Sequence, residues 1–292
     1  MFSVQKVSFI GGDRRSISTA LCLKSKGFDV TAIGLNTNGQ LQEHTDLSTA
    51  INNADAVVLP LPLTRDNITV NAPLSDENYY LNDIVKLKPQ YVFGGIIKGD
   101  FKDNLKKTGI KYYDYYDSEY LTVKNAVLTA EAALSIAIAE TTSSIYGSKS
   151  VVIGYGRIDK QLAKYLKTLG SKVTATSRNE GTLATIEADG IVALKTDKCF
   201  SACLDADYIF NTVPSPILDT SFFDKCSPDL MFLDLASNSG IDLSNAKLRN
   251  IKCGVFGGLP GKYSSKTAGI YVAEEIMKHL TTLNKEENKW PL

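Results

Sequence analysis

The stretch that most constrains this chain runs from Val151 to Arg178, VVIGYGRIDKQLAKYLKTLGSKVTATSR. It reads as strand, tight turn, helix, strand. Val151, Val152 and Ile153 form a short apolar strand, and Gly154 and Gly156 occupy the turn. Leu162, Ala163, Leu166 and Leu169 recur at helical spacing, Gly170 stops the helix, and Val173 to Thr176 give a second strand. Such a turn places backbone N–H groups at a helix N-terminus, where a pyrophosphate binds. A glycine fingerprint alone is weak evidence; the strand–turn–helix–strand context gives it weight against the alternative of an ordinary α/β turn. The second strand ends at Ser177 and Arg178. NAD sites usually place an acidic residue here, on the ribose hydroxyls. A hydroxyl followed by arginine suits a 2′-phosphate instead, so NADP is the expected cofactor.

The same unit occurs once before. Shifted by 143 positions, Ile10 falls on Ile153, Gly11 on Gly154, Gly27 on Gly170 and Val30 on Val173. The expected fold is therefore α/β, with two Rossmann-like domains built on parallel sheets. The copies differ at the turn, where Asp13 stands at the position of Gly156. A carboxylate there repels a phosphate, so the N-terminal copy is not expected to bind the dinucleotide. Arg14 and Arg15 follow. They either bind a carboxylate of a small substrate or are solvated residues at a helix start.

The length, 292 residues, suits two domains with their own cores. Lys+Arg and Asp+Glu are equal at 32 each, which gives no basis for a nucleic-acid or anionic-membrane surface. No apolar run is read as a transmembrane span and no signal peptide is visible, so a cytoplasmic location is expected. The five cysteines form no CxxC pair, which argues against disulfides and a zinc ribbon. Cys199 and Cys203, at helical spacing, read as a half-buried face. No metal is expected. His44 and His279 are the two histidines, in polar sequence surroundings.

Between the two copies, DAVVLPL (55–61) and YVFGGII (91–97) read as strands, and Thr64 to Asp76 is polar and irregular. Five tyrosines between Lys111 and Tyr120 read as sheet-edge or interdomain packing. From Val127 to Ile145 a strong helix is expected as an interdomain connector, with Thr129 near its start and Glu131 in its first turn. Glu131 is then either a favourable first-turn carboxylate or a group facing the substrate. After Arg178 come further strands. YIFNTV (208–213) carries Asn211 and Thr212 at its C-terminal end, the end at which open α/β sheets bind ligands. MFLDL (231–235) and Lys252 to Phe256 follow. A last helix runs from near Ser264 to about Leu283 and is expected to pack back on the first domain; the charged tail from Asn284 is expected to fray. The domains so drawn are 1–125 with 264–292, a connector 126–146, and an NADP-binding domain 147–263.

At this point the chain resembles a family, the A-subunits of dipicolinate synthase from endospore-forming bacteria. The segments that carry it are GGDRR (11–15), ADAVVLPLP (54–62), NAVLTAEAAL (125–134), GYGRIDKQLA (154–163), IFNTVPSPIL (209–218), LDLASNSGID (233–242) and GGLPGKYSSKTAG (257–269). The resemblance implies an NADP-dependent oxidoreductase of a lysine-pathway branch during sporulation, located in the mother cell. It would oxidise a dihydrodipicolinate-type cyclic dicarboxylate, with the synthase's flavoprotein-like B-subunit for its partner. No nucleic acid or membrane partner is expected; a homo-oligomer is. The chain departs from the family where Asp159 stands in place of the third fingerprint glycine, and where the ASNSG turn lacks the proline and double glycine frequent in relatives.

The site expected from this reading is as follows. Gly154, Gly156, Arg157 and Ile158 hold the pyrophosphate, and Ser177 and Arg178 the 2′-phosphate. Asn211, Thr212 and Val213 line the dinucleotide path, and Ala236, Gly258, Leu259 and Pro260 approach the nicotinamide half. Arg14, Asn125, Thr129, Lys266 and Thr267 are the candidate substrate contacts, with Glu131 as proton acceptor. Two alternatives remain: another 2-hydroxyacid- or shikimate-type dehydrogenase, and a non-catalytic nucleotide-binding protein that serves a catalytic partner.

Overall fold

The structure, a computed structural model, describes residues 4–236, 239 and 243–287. The chain forms two compact units, residues 1–124 with 264–292, and residues 125–263.

In the first unit, β1 (Lys6–Ile10), α1 (Arg14–Ser25), β2 (Asp29–Ile33), β3 (Gln42–Glu43), α2 (Leu47–Asn52) and β4 (Ala56–Val58) are followed by α3 (Leu81–Leu87), β5 (Tyr91–Gly94), α4 (Gly99–Thr108) and β6 (Lys111–Asp114). A long helix, α5 (Glu119–Glu140), leads into the second unit. There β7 (Lys149–Ile153), α6 (Arg157–Thr168), β8 (Lys172–Ser177), α7 (Glu180–Ala188) and β9 (Val192–Lys195) precede α8 (Phe200–Leu204), β10 (Tyr208–Asn211), β11 (Met231–Asp234), α9 (Leu243–Leu248), β12 (Lys252–Val255) and α10 (Leu259–Tyr263). The last helix, α11 (Ser265–Glu287), belongs to the first unit.

Each unit carries one six-stranded parallel sheet. The orders are β3-β2-β1-β4-β5-β6 and β9-β8-β7-β10-β11-β12, the same order twice. Each reverses direction once, between β1 and β4 and between β7 and β10, and such switch points open a crevice at the strands' carboxyl ends. The repeat extends to bonding detail. Asp55 accepts the Lys6 N–H at 2.8 Å in the first sheet, and Asp207 accepts the Lys149 N–H at 2.8 Å in the second. Both faces of each sheet are buried. In β1, Val7 and Phe9 join one core and Ile10 the other; in β7, Val152 joins one core and Val151 and Ile153 the other. This is why the central strands read as continuous apolar runs rather than as alternation.

α11 completes the first unit against α1. Gly269 makes this possible: a Cβ there would lie 2.5 Å from the Arg15 carbonyl oxygen. The Thr19 hydroxyl donates to the Gly269 carbonyl at 2.9 Å across the same contact. Val272, Ala273, Ile276 and Leu280 join the β1–β2 face of the core. The expected return of the last helix to the first domain is what the structure shows.

Several local expectations are corrected. α5 begins at Glu119, not Val127, and ends at Glu140, not Ile145. Ser118 starts the helix early, its carbonyl accepting the Thr122 N–H, while a run of hydroxyl residues from Thr141 ends it. Glu131 is therefore mid-helix, which removes its first-turn role. α5 is also long and apolar enough, by length and composition, to cross a membrane, contrary to the reading of the sequence; half of that span is buried inside the protein. Ala130, Ala132, Ala133, Ile136 and Ala137 pack into the second unit's core, so α5 is a core helix here. The strand expected over 91–97 stops at Gly94, because the Ile96 and Ile97 N–H groups turn to the Asp114 carboxylate at 3.0 and 2.6 Å. His279 lies among aromatic rings rather than in wholly polar surroundings: its ring stacks on Tyr113 at 3.9 Å, and its Nε2 hydrogen-bonds the Tyr91 hydroxyl at 2.6 Å. Of the ASNSG turn, only Ala236 and Ser239 lie within the described residues, and the tail from residue 288 lies outside them.

Candidate dinucleotide site

A parallel sheet delivers all its strand ends to one edge. In the second unit this edge gathers the β7–α6 turn, the end of β8, and the loops after β10, β11 and β12. Ile153, Asn211, Asp234 and Val255 stand in register across it.

The β7–α6 turn has the backbone that a phosphate-binding turn needs. Gly154 has φ of +118°, and a Cβ there would lie 2.8 Å from both the Thr212 Oγ1 and the Asp159 Oδ2. Gly156 is exposed at the N-cap of α6, a helix of 12 residues, with Arg157 exposed at its first position. Ile158 is half-buried against the core. The Gly154 N–H is held by the Thr176 hydroxyl at 3.2 Å. The Gly156 N–H donates to the Asp159 carboxylate at 2.8 Å. Asp159 is also bonded by the Thr212 hydroxyl at 2.8 Å, and burial pushes its carboxyl up to about 6. It therefore closes the first turn of α6 on itself.

At the end of β8, Ser177 is half-buried and accepts the Asn179 N–H at 3.1 Å. Arg178 is exposed and makes no ion pair with the described residues. No carboxylate follows the strand until Glu180, which pairs with Lys195.

Asn211 is fully buried. Its amide bonds the Val213 backbone in both directions at 3.1 Å and donates to Asp234 at 3.0 Å. It holds the loop after β10 in shape and presents no free group to a ligand, a correction to its expected place along the dinucleotide path. Thr212 and Val213 are half-buried. Ala236 is buried, its N–H on Asp234 at 3.0 Å. Gly258, with φ of +65°, is exposed with open space around it, while the Leu259 and Pro260 side chains are buried under it.

The expected substrate residues fall on two units. Asn125, Thr129 and Glu131 are on α5 in the second. Asn125 is buried, its carbonyl bonded by the Thr129 hydroxyl at 2.8 Å, and Glu131 is exposed. Arg14, Lys266 and Thr267 are in the first unit. Arg14 is exposed at the start of α1, and Lys266 is exposed in the first turn of α11, where a cation opposes the helix dipole. Arg15 is not solvated: it is buried, paired with Asp13 at 2.7 Å and bonded to the Leu61 carbonyl. Asp13 caps α1 through the Arg15 N–H at 2.9 Å. The helix start that corresponds to the dinucleotide turn is thus filled by the chain's own carboxylate.

Two residues at this edge carry no site signal strong enough to find from sequence. Asp234, fully buried at the end of β11, gathers Asn211 and Ala236; its one signal is an aspartate closing an apolar strand. Tyr155, inside the turn, donates to Asp189 at 2.6 Å, and burial raises its phenol.

A parallel sheet in this order, with a glycine turn opening a helix at its switch point, defines a dinucleotide-binding domain of the dehydrogenase class. Comparisons with known proteins agree. Residues 123–245 match the family described as D-isomer specific 2-hydroxyacid dehydrogenase, NAD binding domain, and residues 6–116 match the N-terminal domain of the dipicolinate synthase A-subunit. The dipicolinate synthase A-subunit of Bacillus subtilis is 28% identical over 99% of this chain and 100% of its own. Its crystal structure superposes with a TM-score of 0.84 at 27% identity, over 98% of this chain and 99% of that one. The A-subunit from Bacillus halodurans gives 0.83 at 26% identity, over 96% and 99%. The chain is a relative of the dipicolinate synthase A-subunit along its whole length, with an NAD-binding domain of the 2-hydroxyacid dehydrogenase type.

The second unit fits a nicotinamide dinucleotide in backbone: Gly154 supplies the φ of +118° at the turn, and α6 opens from Gly156 two residues later with its N-terminus at that turn. Within that turn, Asp159 opposes an anion.

Proposed function

We propose that the protein is an NADP-linked oxidoreductase, the A-subunit of a dipicolinate synthase in sporulating cells. In this reading it removes hydride from a dihydrodipicolinate-type cyclic dicarboxylate, on a branch of the lysine pathway, in the mother-cell cytoplasm. A flavoprotein-like B-subunit works with it, and a homo-oligomer is the expected form. The carrying observation is one chain that pairs an N-terminal domain of the A-subunit type with a dinucleotide turn.

Gly154, Gly156, Arg157 and Ile158 would hold the pyrophosphate, with Thr212 and Val213 beside it and Asn211 keeping their loop in shape. Ser177 and Arg178 support NADP over NAD: a hydroxyl and an exposed guanidinium follow β8 where a ribose-binding acid is the usual residue. Ala236, Gly258, Leu259 and Pro260 would shape the nicotinamide half. When bound, the cofactor supplies the hydride acceptor. Hydride loss from a dihydropyridine ring also releases a proton, and Glu131, exposed on α5, would accept it. Arg14, Asn125, Thr129, Lys266 and Thr267 would bind the substrate, the two cations matching its carboxylates.

Titration of the full chain with NADPH, NADH and dipicolinate tests this. NADPH is expected to bind at least about tenfold more tightly than NADH through its 2′-phosphate, and dipicolinate to bind alongside it. Glu131→Gln is expected to lower turnover and leave both bindings intact. Equal affinity for the two nucleotides contradicts the NADP assignment; absence of nucleotide binding contradicts the oxidoreductase reading.

A further inference from the structure

The third position of the glycine fingerprint is where this chain departs from the pattern. Asp159 is 2% exposed in the first turn of α6. Its Oδ2 accepts both the Gly156 N–H and the Thr212 hydroxyl, so it occupies a donor that a glycine turn otherwise offers to a phosphate oxygen. Its Oδ1 is buried with no hydrogen-bond partner among the described residues. Helix capping accounts for the first oxygen and leaves the second unexplained, because a buried acceptor without a donor is destabilising.

The surroundings do not neutralise it. Among the described residues no lysine or arginine pairs with Asp159. On the turn, Tyr155 gives its hydroxyl to Asp189, and Lys160 lies 5.7 Å from that ring. On β8, Thr176 holds the Gly154 N–H; on β10 and β11, Asn211 and Asp234 bond each other. Arg157, two residues earlier on α6, has partners of its own. A pyrophosphate brought to this helix start meets a like charge at short range in a poorly solvated site.

We propose that this chain takes up one proton at Asp159 when it binds its dinucleotide, so that Asp159 sets both the affinity for the cofactor and the dependence of that affinity on pH. The proposal rests on the dinucleotide reading above. The orphan Oδ1 is the atom that takes the proton, and the neutral carboxyl then has a donor to offer in place of a charge that repels. The burial that already raises this carboxyl to about 6 places the coupling near neutral pH. A chain with glycine at this position has no such coupling.

Isothermal titration of the full chain with NADPH and NADH, from about pH 5.5 to 8.5 in two buffers of different ionisation enthalpy, tests it. NADH is included because the 2′-phosphate of NADPH itself titrates near pH ~6. For wild type, Kd is expected to rise by up to about tenfold per pH unit above pH ~6, with close to one proton taken up on binding. Asp159→Asn and Asp159→Gly are expected to flatten that slope and to bind up to about a hundredfold more tightly at pH ~8. A wild-type Kd that changes by less than about twofold from pH ~6 to 8, with no proton uptake, overturns the proposal whether or not the variants fold. A steep slope that survives in a folded variant overturns the assignment to Asp159. Failure of wild type and variants to bind any dinucleotide overturns this inference together with the reading beneath it.

Discussion

In the proposed reading Arg178 and Asp159, at the same sheet edge, act on the dinucleotide in opposite directions. Arg178 is exposed and free of ion pairs among the described residues, so its replacement removes charge without breaking a fold contact. Arg178→Ala is expected to raise KM for NADP by about tenfold or more, the scale of one charge-assisted contact, and to leave NAD use nearly unchanged. An equal loss with both nucleotides, read in steady-state kinetics, contradicts the 2′-phosphate role. Asp159 carries a stability consequence that needs no ligand. Its folded pKa of about 6 lies above the ordinary 3.8. The folded state therefore holds this proton more tightly than the unfolded chain. The associated stability is present below pH ~3.8 and is lost as pH rises through about 6. Asp159→Asn removes the dependence, so its stability relative to wild type should increase by about 2 kcal/mol between pH ~4 and 8. Urea unfolding at the two pH values measures this, and an unchanged difference contradicts it.

The glycine turns are legible in the sequence because strand, turn and helix all agree on them, and the repeat places them twice. β1 and β7 start at Lys6 and Lys149, and α1 and α6 at Arg14 and Arg157, each pair 143 apart. What the turns do with their own side chains is not legible. The sequence shows Asp159 as a missing glycine; only the fold shows it bonded to Gly156 and Thr212. Asn211 at a strand end has the composition of a ligand contact, yet its bonds close on Asp234 and Val213. The start of α5 escapes a sequence reading because EYLTVKN is polar and mixed, and only tertiary packing of Leu121 makes it helix. α4 escapes it because Phe101 and Leu105 are its only buried anchors. Gly269 is legible as part of a motif but not as a packing device. A Cβ there meets the backbone oxygen of Arg15 at 2.5 Å, which cannot move aside as a side chain can. Gly269→Ala is expected to separate α11 from α1 and to cost about 1–3 kcal/mol in denaturant unfolding. A variant as stable as wild type contradicts that close approach.

The two units differ in how they are assembled from the chain. The second is one continuous segment, residues 125–263, while the first needs a return from residue 264 onward. That return supplies Val272, Ala273, Ile276 and Leu280 to the face that Ala20 and Leu23 of α1 also line. Truncation after Tyr263 is expected to expose that face and to unfold the first unit while the second keeps its fold. Hydrogen exchange reads this directly: protection lost in β1, β2 and β4 and retained in β7, β8 and β10. Uniform protection in the truncated chain contradicts the assignment of α11 to the first core. The relationship to the dipicolinate synthase A-subunit runs through both units, and the functional reading depends on both. The most direct measurement of that reading is NADPH formation by the full chain, with freshly generated dihydrodipicolinate-type substrate and with NAD in a parallel reaction. NADP reduction matched by dipicolinate formation is expected, with little reduction of NAD. Substrate consumed with no reduced nucleotide, or reduction with NAD as fast as with NADP, would contradict it.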